Sequence, residues 1–323
     1  MSPWPNGKSF AFTIMDDTDR AHWQAIKPFY DALMRYGLRT TKTAWVLDSP
    51  LDDPYRGDSL QDPAYLAWTK DLAAAGFEIA WHGARSGGTE SAAHAGALES
   101  FREMFGAYPR TYANHAVNPE CLYWGEERFD DPVVREIFRR FSGRRRFLGS
   151  TPGSPYYWAD LCSERLRYVR GFNTDDAVTS RTDPWMPYHD PRRPAVAKWF
   201  SASDGSDVER FVKLLAPARI DDLERSGGCC IVYAHVADGF VRGGHVDPRV
   251  LRVLEDLGAR DGWYVPVEDV LGRIDVERGE RVITQAQHRR LEWRWAAYQL
   301  RRQLDRERYI PQPLNGQVRG EGR

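Results

Sequence analysis

Two aspartates, Asp16 and Asp17, stand side by side behind the apolar run Phe10-Ala11-Phe12-Thr13-Ile14-Met15. The run reads as a buried strand, which puts both carboxylates at its C-terminal end. Neighbouring like charges repel and shift each other's pKa, and a chain keeps such a pair to hold a metal or to poise one carboxylate as a base. Other apolar runs leave the core in the same way. One running from 77 to 81 ends at His82, a short one from Thr111 carries Asn114-His115, and a late one from Cys229 ends at His235. A lone His at a strand end is commonly a structural residue, but three of them with two aspartates favour a site. One carboxylate with two imidazoles is a facial donor set suited first to Zn²⁺, and also to Mn²⁺, Fe²⁺ or Co²⁺. A metal there polarises a carbonyl and acidifies water. A second carboxylate can act as base, and a His on the opposite side can protonate the leaving group. These are the parts for metal-assisted hydrolysis of an amide or an ester.

Such residues must be positioned by elements, and the pattern of the chain predicts them. Strands are expected at 10–15, 41–47, 77–81, 111–116, 146–148, 166–172, 195–200, 229–234 and 263–265. Helices are expected at 22–36, 63–75, 90–105, 132–141, 220–225, 248–257 and 267–274. Alternation of this kind indicates parallel βα units. About seven or eight such units fit a (β/α) barrel, complete or incomplete, over residues 1–279, with its site at the C-terminal ends of the strands.

Residues 284–308 read as one long helix within a C-terminal extension, 280–310, and 311–323 as a disordered tail. Trp293, Ala297, Leu300 and Leu304 form an apolar stripe, with Leu291, Trp295 and Tyr298 beside it. Eight Arg against three acids between Arg281 and Arg308 make this helix basic. Two readings arise, a functional one, in which the helix makes a peripheral membrane contact or docks on a partner, and a helix folded back on the barrel with a solvated basic face. The second is favoured because basic amphipathic helices are common.

Composition narrows the function. Lys+Arg 45 against Asp+Glu 46 gives a formal charge of −1 and no field that would attract nucleic acid. The start, MSPWPNGKSF, lacks a basic segment followed by an apolar one, and no apolar run is long enough to span a membrane. The four cysteines show no CxxC spacing, and Cys229-Cys230 read as buried thiols. A cytoplasmic setting is the expectation. Aromatic residues reach 13%, including 12 Trp, so some are candidates for stacking on sugar faces, Trp124 foremost. The loop Met186–Pro194 carries His189 and Arg192, and arginine forks recognise carboxylate or phosphate. Asn114 and the segment Phe172–Asp176 are candidates for further polar contacts.

The run Phe12-Thr13-Ile14-Met15-Asp16-Asp17 resembles the first motif of the polysaccharide deacetylases, the family-four carbohydrate esterases and their relatives. Gly76–Gly83 resembles the second motif, which opens with a metal-binding His. Cys230–His235 resembles the late strand that carries the catalytic acid, and Gly262–Leu271 the closing strand and helix. The resemblance covers about residues 8–275. It implies a distorted barrel of the glycoside hydrolase/deacetylase type and a divalent metal, with Asp16 as base, Asp17 and His82 as ligands and His235 as acid. Two departures stand out. The second motif's further His is replaced by Ser86, and the Arg and prolines that the third motif normally brings after the fourth strand, the Arg to tune the base, are not there: the chain reads Pro109-Arg110-Thr111-Tyr112-Ala113-Asn114-His115-Ala116. His115 is the candidate to complete the ligand set, ahead of His94, which falls on a predicted helix. The function implied is a metal-dependent hydrolase, Zn²⁺ foremost, removing an acetyl group from a sugar or glycan precursor. Alternatives are a non-catalytic carbohydrate-binding protein on the same barrel and a hydrolase of another amide.

Overall fold

The structure is a computed structural model that describes residues 4–142 and 146–308. The tail at 311–323 lies outside the described residues. Ten strands are present among them: Phe10–Asp16 (β1), Thr41–Ala44 (β2), Glu78–Trp81 (β3), Thr111–Tyr112 (β4), Tyr168–Thr174 (β5), Lys198–Asp204 (β6), Cys229–Ala234 (β7), the hairpin pair Val241–Arg242 (β8) and His245–Val246 (β9), and Gly262–Tyr264 (β10). β1 to β7 run parallel in chain order, and β7 pairs back onto β1, closing a seven-stranded barrel. β10 is the extra strand. β7 follows β1 from Ala11 to Asp16, so the other edge of β1 is shared, β10 taking Phe10–Phe12 and β2 taking Met15–Asp16. This is the distorted barrel the sequence predicts.

The strands are short and apolar because parallel strands are covered on both faces. β1 is buried along its whole length, as are Trp45, Trp81 and Cys229 to Val232. Helices cover the outside: Trp23–Arg35 (α1), Pro63–Ala74 (α2), Ser91–Phe105 (α3), Pro132–Ser142 (α4), Ala159–Arg165 (α5), Thr179–Thr182 (α6), Val208–Leu214 (α7), Pro217–Ser226 (α8), Pro248–Gly258 (α9) and Val267–Arg278 (α10). Local chemistry sets their ends. Asp62 accepts from the N–H of Ala64 ahead of Pro63, and Gly106 stops α3 at φ 81, a conformation that a side chain disfavours. The strand expected at 146–148 is irregular, and α5, α6 and α7 have no counterpart in the sequence reading.

The last helix, Gln285–Arg308 (α11), lies against β5 and α4. Its buried face is Leu291, Trp295 and Tyr298, whereas Trp293 and Leu300 are exposed. The stripe predicted through Trp293, Ala297 and Leu300 therefore faces away from the barrel, and the residues beside it make the contact. Trp295 packs on Phe129 at 4.9 Å, and the Glu292 carboxylate accepts from the backbone N–H of Asp130 and Asp131, just ahead of α4. Among the described residues no helix is long and apolar enough to cross a membrane.

Candidate active site

Adjacent residues of an extended strand point to opposite faces, and this divides the aspartate pair. Asp16 turns outward between β1 and the helices. Its carboxylate accepts from the Tyr30 hydroxyl at 2.7 Å and from the Val236 N–H at 2.9 Å, with Lys42 Nζ at 3.3 Å, all of them buried. Asp16 does not line the cleft, so the position expected for the base is occupied by a structural ion pair. Asp17 turns inward. Arg170 of β5 grips it with two parallel bonds, Nη1 to Oδ1 at 2.9 Å and Nη2 to Oδ2 at 2.5 Å. Burial works against the Asp17 carboxylate, yet the Arg170 guanidinium holds it below the usual carboxylate range.

Two residues beyond Asp17, Asp19 points into the same space. His115 Nδ1 lies 2.8 Å from its Oδ1, and His82 Nε2 and His235 Nε2 lie 3.0 and 3.4 Å from its Oδ2. Asp19, His82 and His115 offer ligand atoms that all lie within 4.8 Å of one another, and Asp17, Asp19 and His235 form a second, overlapping set. His82 Nε2 stands 4.0 Å from Asp17, so the carboxylate nearest both ring nitrogens is Asp19 rather than Asp17.

Ser86, at the place of the second motif's missing His, supports His115. Its hydroxyl donates to Asp53 at 2.8 Å, so it must accept from His115 Nε2–H, 3.2 Å away. With Nε2–H given to Ser86, the neutral form of His115 would turn the lone pair of Nδ1 toward an Asp19 oxygen only 2.8 Å off. Two lone pairs at that distance repel unless a cation or a proton sits between them. The carboxylate and two imidazoles also match the donor types of a divalent metal site with open positions. The residues fit a metal on both counts. His82 Nδ1, in contrast, is buried without a partner.

His235 lies at the rim, its side chain 16% exposed. Its Nδ1 faces the Ser206 carbonyl and its Nε2 the Tyr233 hydroxyl, each at 3.2 Å. Burial lowers its pKa, but the hydrogen bond and charge of Asp19, with Asp17 and Asp238, outweigh that and bring it to about 9. In this arrangement the surrounding carboxylates favour the protonated imidazole.

These groups open onto a cleft of about 370 Å³. Tyr55, Asn114 and Trp124 line it, as do Trp295, Gln299 and Arg302 of α11. Asn114 spends its carbonyl oxygen on Tyr112 Oη and the Leu122 N–H. His189 and Arg192 do not reach the cleft. His189 Nδ1 faces the Val196 carbonyl, while Arg192 pairs with Asp190 and Asp130, in the cluster that seats His288 of α11. Their loop anchors the last helix. His94 is a core residue, stacked 4.1 Å from Trp158 and held neutral by burial, which lowers its pKa to about 3.

Asp19, Arg170 and the contribution of α11 escaped the sequence reading. The first had a signal, a further acid two positions past the pair, in the turn Asp19-Arg20 that follows β1. Arg170 had a weaker one, a cation inside the apolar run at 166–172.

No protein-family model matches the sequence, and no curated protein matches it. Solved structures do match in fold. PuuE allantoinase aligns at a TM-score of 0.51 and 12% identity, over 86% of this chain and 94% of that one. A protein assigned as a polysaccharide deacetylase from Mycobacterium smegmatis aligns at 0.49 and 13%, over 87% and 96%. Another so assigned, from Pseudomonas aeruginosa PAO1, aligns at 0.49 and 13%, over 86% and 95%. At these identities the likeness is one of fold.

Proposed function

We propose that this chain is a metal-dependent hydrolase that removes an acyl group, in the first instance N- or O-acetyl, from a sugar or glycan precursor. The observation that carries the reading is one cleft holding an Asp-His-His donor set, an arginine-clamped carboxylate and a protonatable His. Asp19, His82 and His115 would hold the ion, Zn²⁺ foremost. When bound, it supplies a Lewis acid for the scissile carbonyl and the attacking water. Asp17 takes the proton from that water. Its clamp by Arg170 keeps it ionised and fixes its orientation, at the cost of some basicity. His235, across Asp19 from the other imidazoles, delivers a proton to the departing amine or alcohol. Ser86 and Asp53 keep His115 in the ligating tautomer.

A second reading within the same chemistry is hydrolysis of an amide in a small metabolite. It is favoured by α11, which walls the cleft and leaves less room for a polymer. The deciding experiment measures metal content and acetate release from acetylated sugars for wild type and His115→Ala. We expect about one equivalent of metal in wild type, and loss of both metal and turnover in the variant. Equal metal in both proteins would reject the ligand set. Stoichiometric metal without acetate release from any sugar would shift the reading to another amide. Protein without metal would leave a carbohydrate-binding role.

A further inference from the structure

Arg128 stands at the wall of the cleft and is only 7% exposed. Its guanidinium lies between aromatic faces, 4.4 Å from the Trp124 ring centre, 4.3 Å from Phe172 and 5.4 Å from Trp295. One nitrogen, Nη2, donates to the Gly171 carbonyl. Nε is buried without a partner. Among the described residues no carboxylate forms an ion pair with it, whereas Arg170, Arg192 and Arg193 all have one. A buried cation without a counter-ion is costly. Stacking on aromatic faces stabilises the guanidinium from above and below but leaves its in-plane donors unused. Burial accordingly lowers the Arg128 pKa to about 9.

One more donor without a hydrogen-bond partner borders the same cleft, the buried Nε of Arg302 on α11, whose charge is otherwise met by the Asp204 carboxylate. The other arginine that lines the cleft, Arg170, is committed to Asp17. The favourable charge that Arg128 meets from Glu292 comes from a carboxylate already spent on the Asp130 and Asp131 N–H groups and on His288, so the place of a paired anion is open to what enters the cleft.

We propose that the substrate of this cleft carries an anionic group, a carboxylate or a phosphate, which binds in the plane of the Arg128 guanidinium with Arg302 as its second contact. The flanking Trp124 and Trp295 then pack on the carbon skeleton that bears the anion. The inference rests on the hydrolase reading for the word substrate, but the anion site itself stands on Arg128 and is tested by binding. The group enters between β5 and α11, so the helix confers the specificity and the strand ends confer the chemistry.

The test compares glucuronate, glucose 6-phosphate and glucose as ligands of the full-length, metal-loaded protein, by calorimetry and by quenching of Trp emission. At least one of the two acids should bind about tenfold or more tightly than glucose. The ratio between them tells carboxylate from phosphate. Arg128→Gln should erase the preference for the acid while metal content stays unchanged, and Arg302→Gln should lessen it about threefold. Equal binding of acids and glucose by wild type overturns the proposal, as does a preference that survives Arg128→Gln. Should that variant not fold, the wild-type preference and its response to Arg302→Gln decide. Failure to release acetate from any acetylated sugar would count against the hydrolase reading alone, because the binding comparison does not depend on turnover.

Discussion

The aspartates at the end of β1 illustrate how one residue step changes a side chain's work. Asp16 and Asp17 have the same chemistry, but the pleat gives one to the packing layer and the other to the cleft. Their substitution should separate the two roles. Asp17→Asn removes the proposed base and should lower kcat by about 10²–10⁴, with metal retained through Asp19, His82 and His115. Asp16→Asn leaves Lys42, fully buried, without its carboxylate. Stranding one partner of a buried pair costs about 3 kcal/mol or more. That variant should lose thermal stability while the folded fraction keeps its kcat. A lower kcat in Asp16→Asn than in Asp17→Asn would reverse the assignment. Ser86 makes a finer case. Ser86→Ala deletes the acceptor that fixes His115, and loss of such a supporting contact typically weakens metal binding about 10–100-fold. Titration with a chelator reads this directly, and an unchanged affinity would mean that the Asp53–Ser86–His115 relay has no part in holding the ion.

At the scale of elements, α11 joins the last segment of the chain to the site. It seats Trp295 against Phe129 and Phe138, caps the approach to α4 through Glu292, and presents Gln299 and Arg302 to the cleft. Trp295→Ala should therefore act twice. Truncating a largely buried Trp costs about 3–5 kcal/mol, and loss of a cleft wall should raise KM. A variant that lost stability with KM unchanged would make the helix a purely structural strap. Because the face used for packing is Leu291–Trp295–Tyr298, only the opposite face is left for a lipid surface, and liposome flotation of the full chain should show no binding.

The barrel was legible in the sequence because β1, β3 and β7 are apolar runs that break off at polar residues, and parallel strands write that pattern plainly. The cleft imidazoles of His82 and His235 follow from the same breaks, and that of His115 from the end of the short run at Thr111. Asp19 and Arg170 were less legible, because position along a strand, not residue type, decides which face a side chain meets. The face of α11 was misread, since Trp293 and Leu300 are as apolar as Leu291 and Trp295. Only the surface of the barrel chooses between them.

Across the whole molecule, the strands carry ionisable groups at both ends. At the C-terminal ends they face one another around the cleft; at the opposite end Glu78, the first residue of β3, is buried and poorly paired. Its Oε2 accepts from Thr41 Oγ1 at 2.6 Å and from the Glu268 N–H at 3.2 Å, while Oε1 has no partner. Burial, with the charge of Glu268, pushes its pKa up to about 8 from an ordinary 4.5. The folded protein then keeps a proton that the unfolded chain releases. The contribution of this group to stability is full below the unfolded value, declines as pH rises from 4.5 toward 8, and stays low above that. Gln at this position is neutral at every pH. Its carbonyl can take the two bonds that Oε2 accepts, and its amide can face Thr111 Oγ1, which is buried without a partner. Glu78→Gln should therefore flatten the fall in stability between about pH 5 and 8, with a gain of roughly 2 kcal/mol at the upper end. Because Glu78 lies at the end of the barrel remote from the cleft, metal content and turnover should not change. Denaturant unfolding of both proteins across that range measures the slope. Parallel curves would show that Glu78 is already ionised in the fold and that its pairing is better than the contacts around it imply.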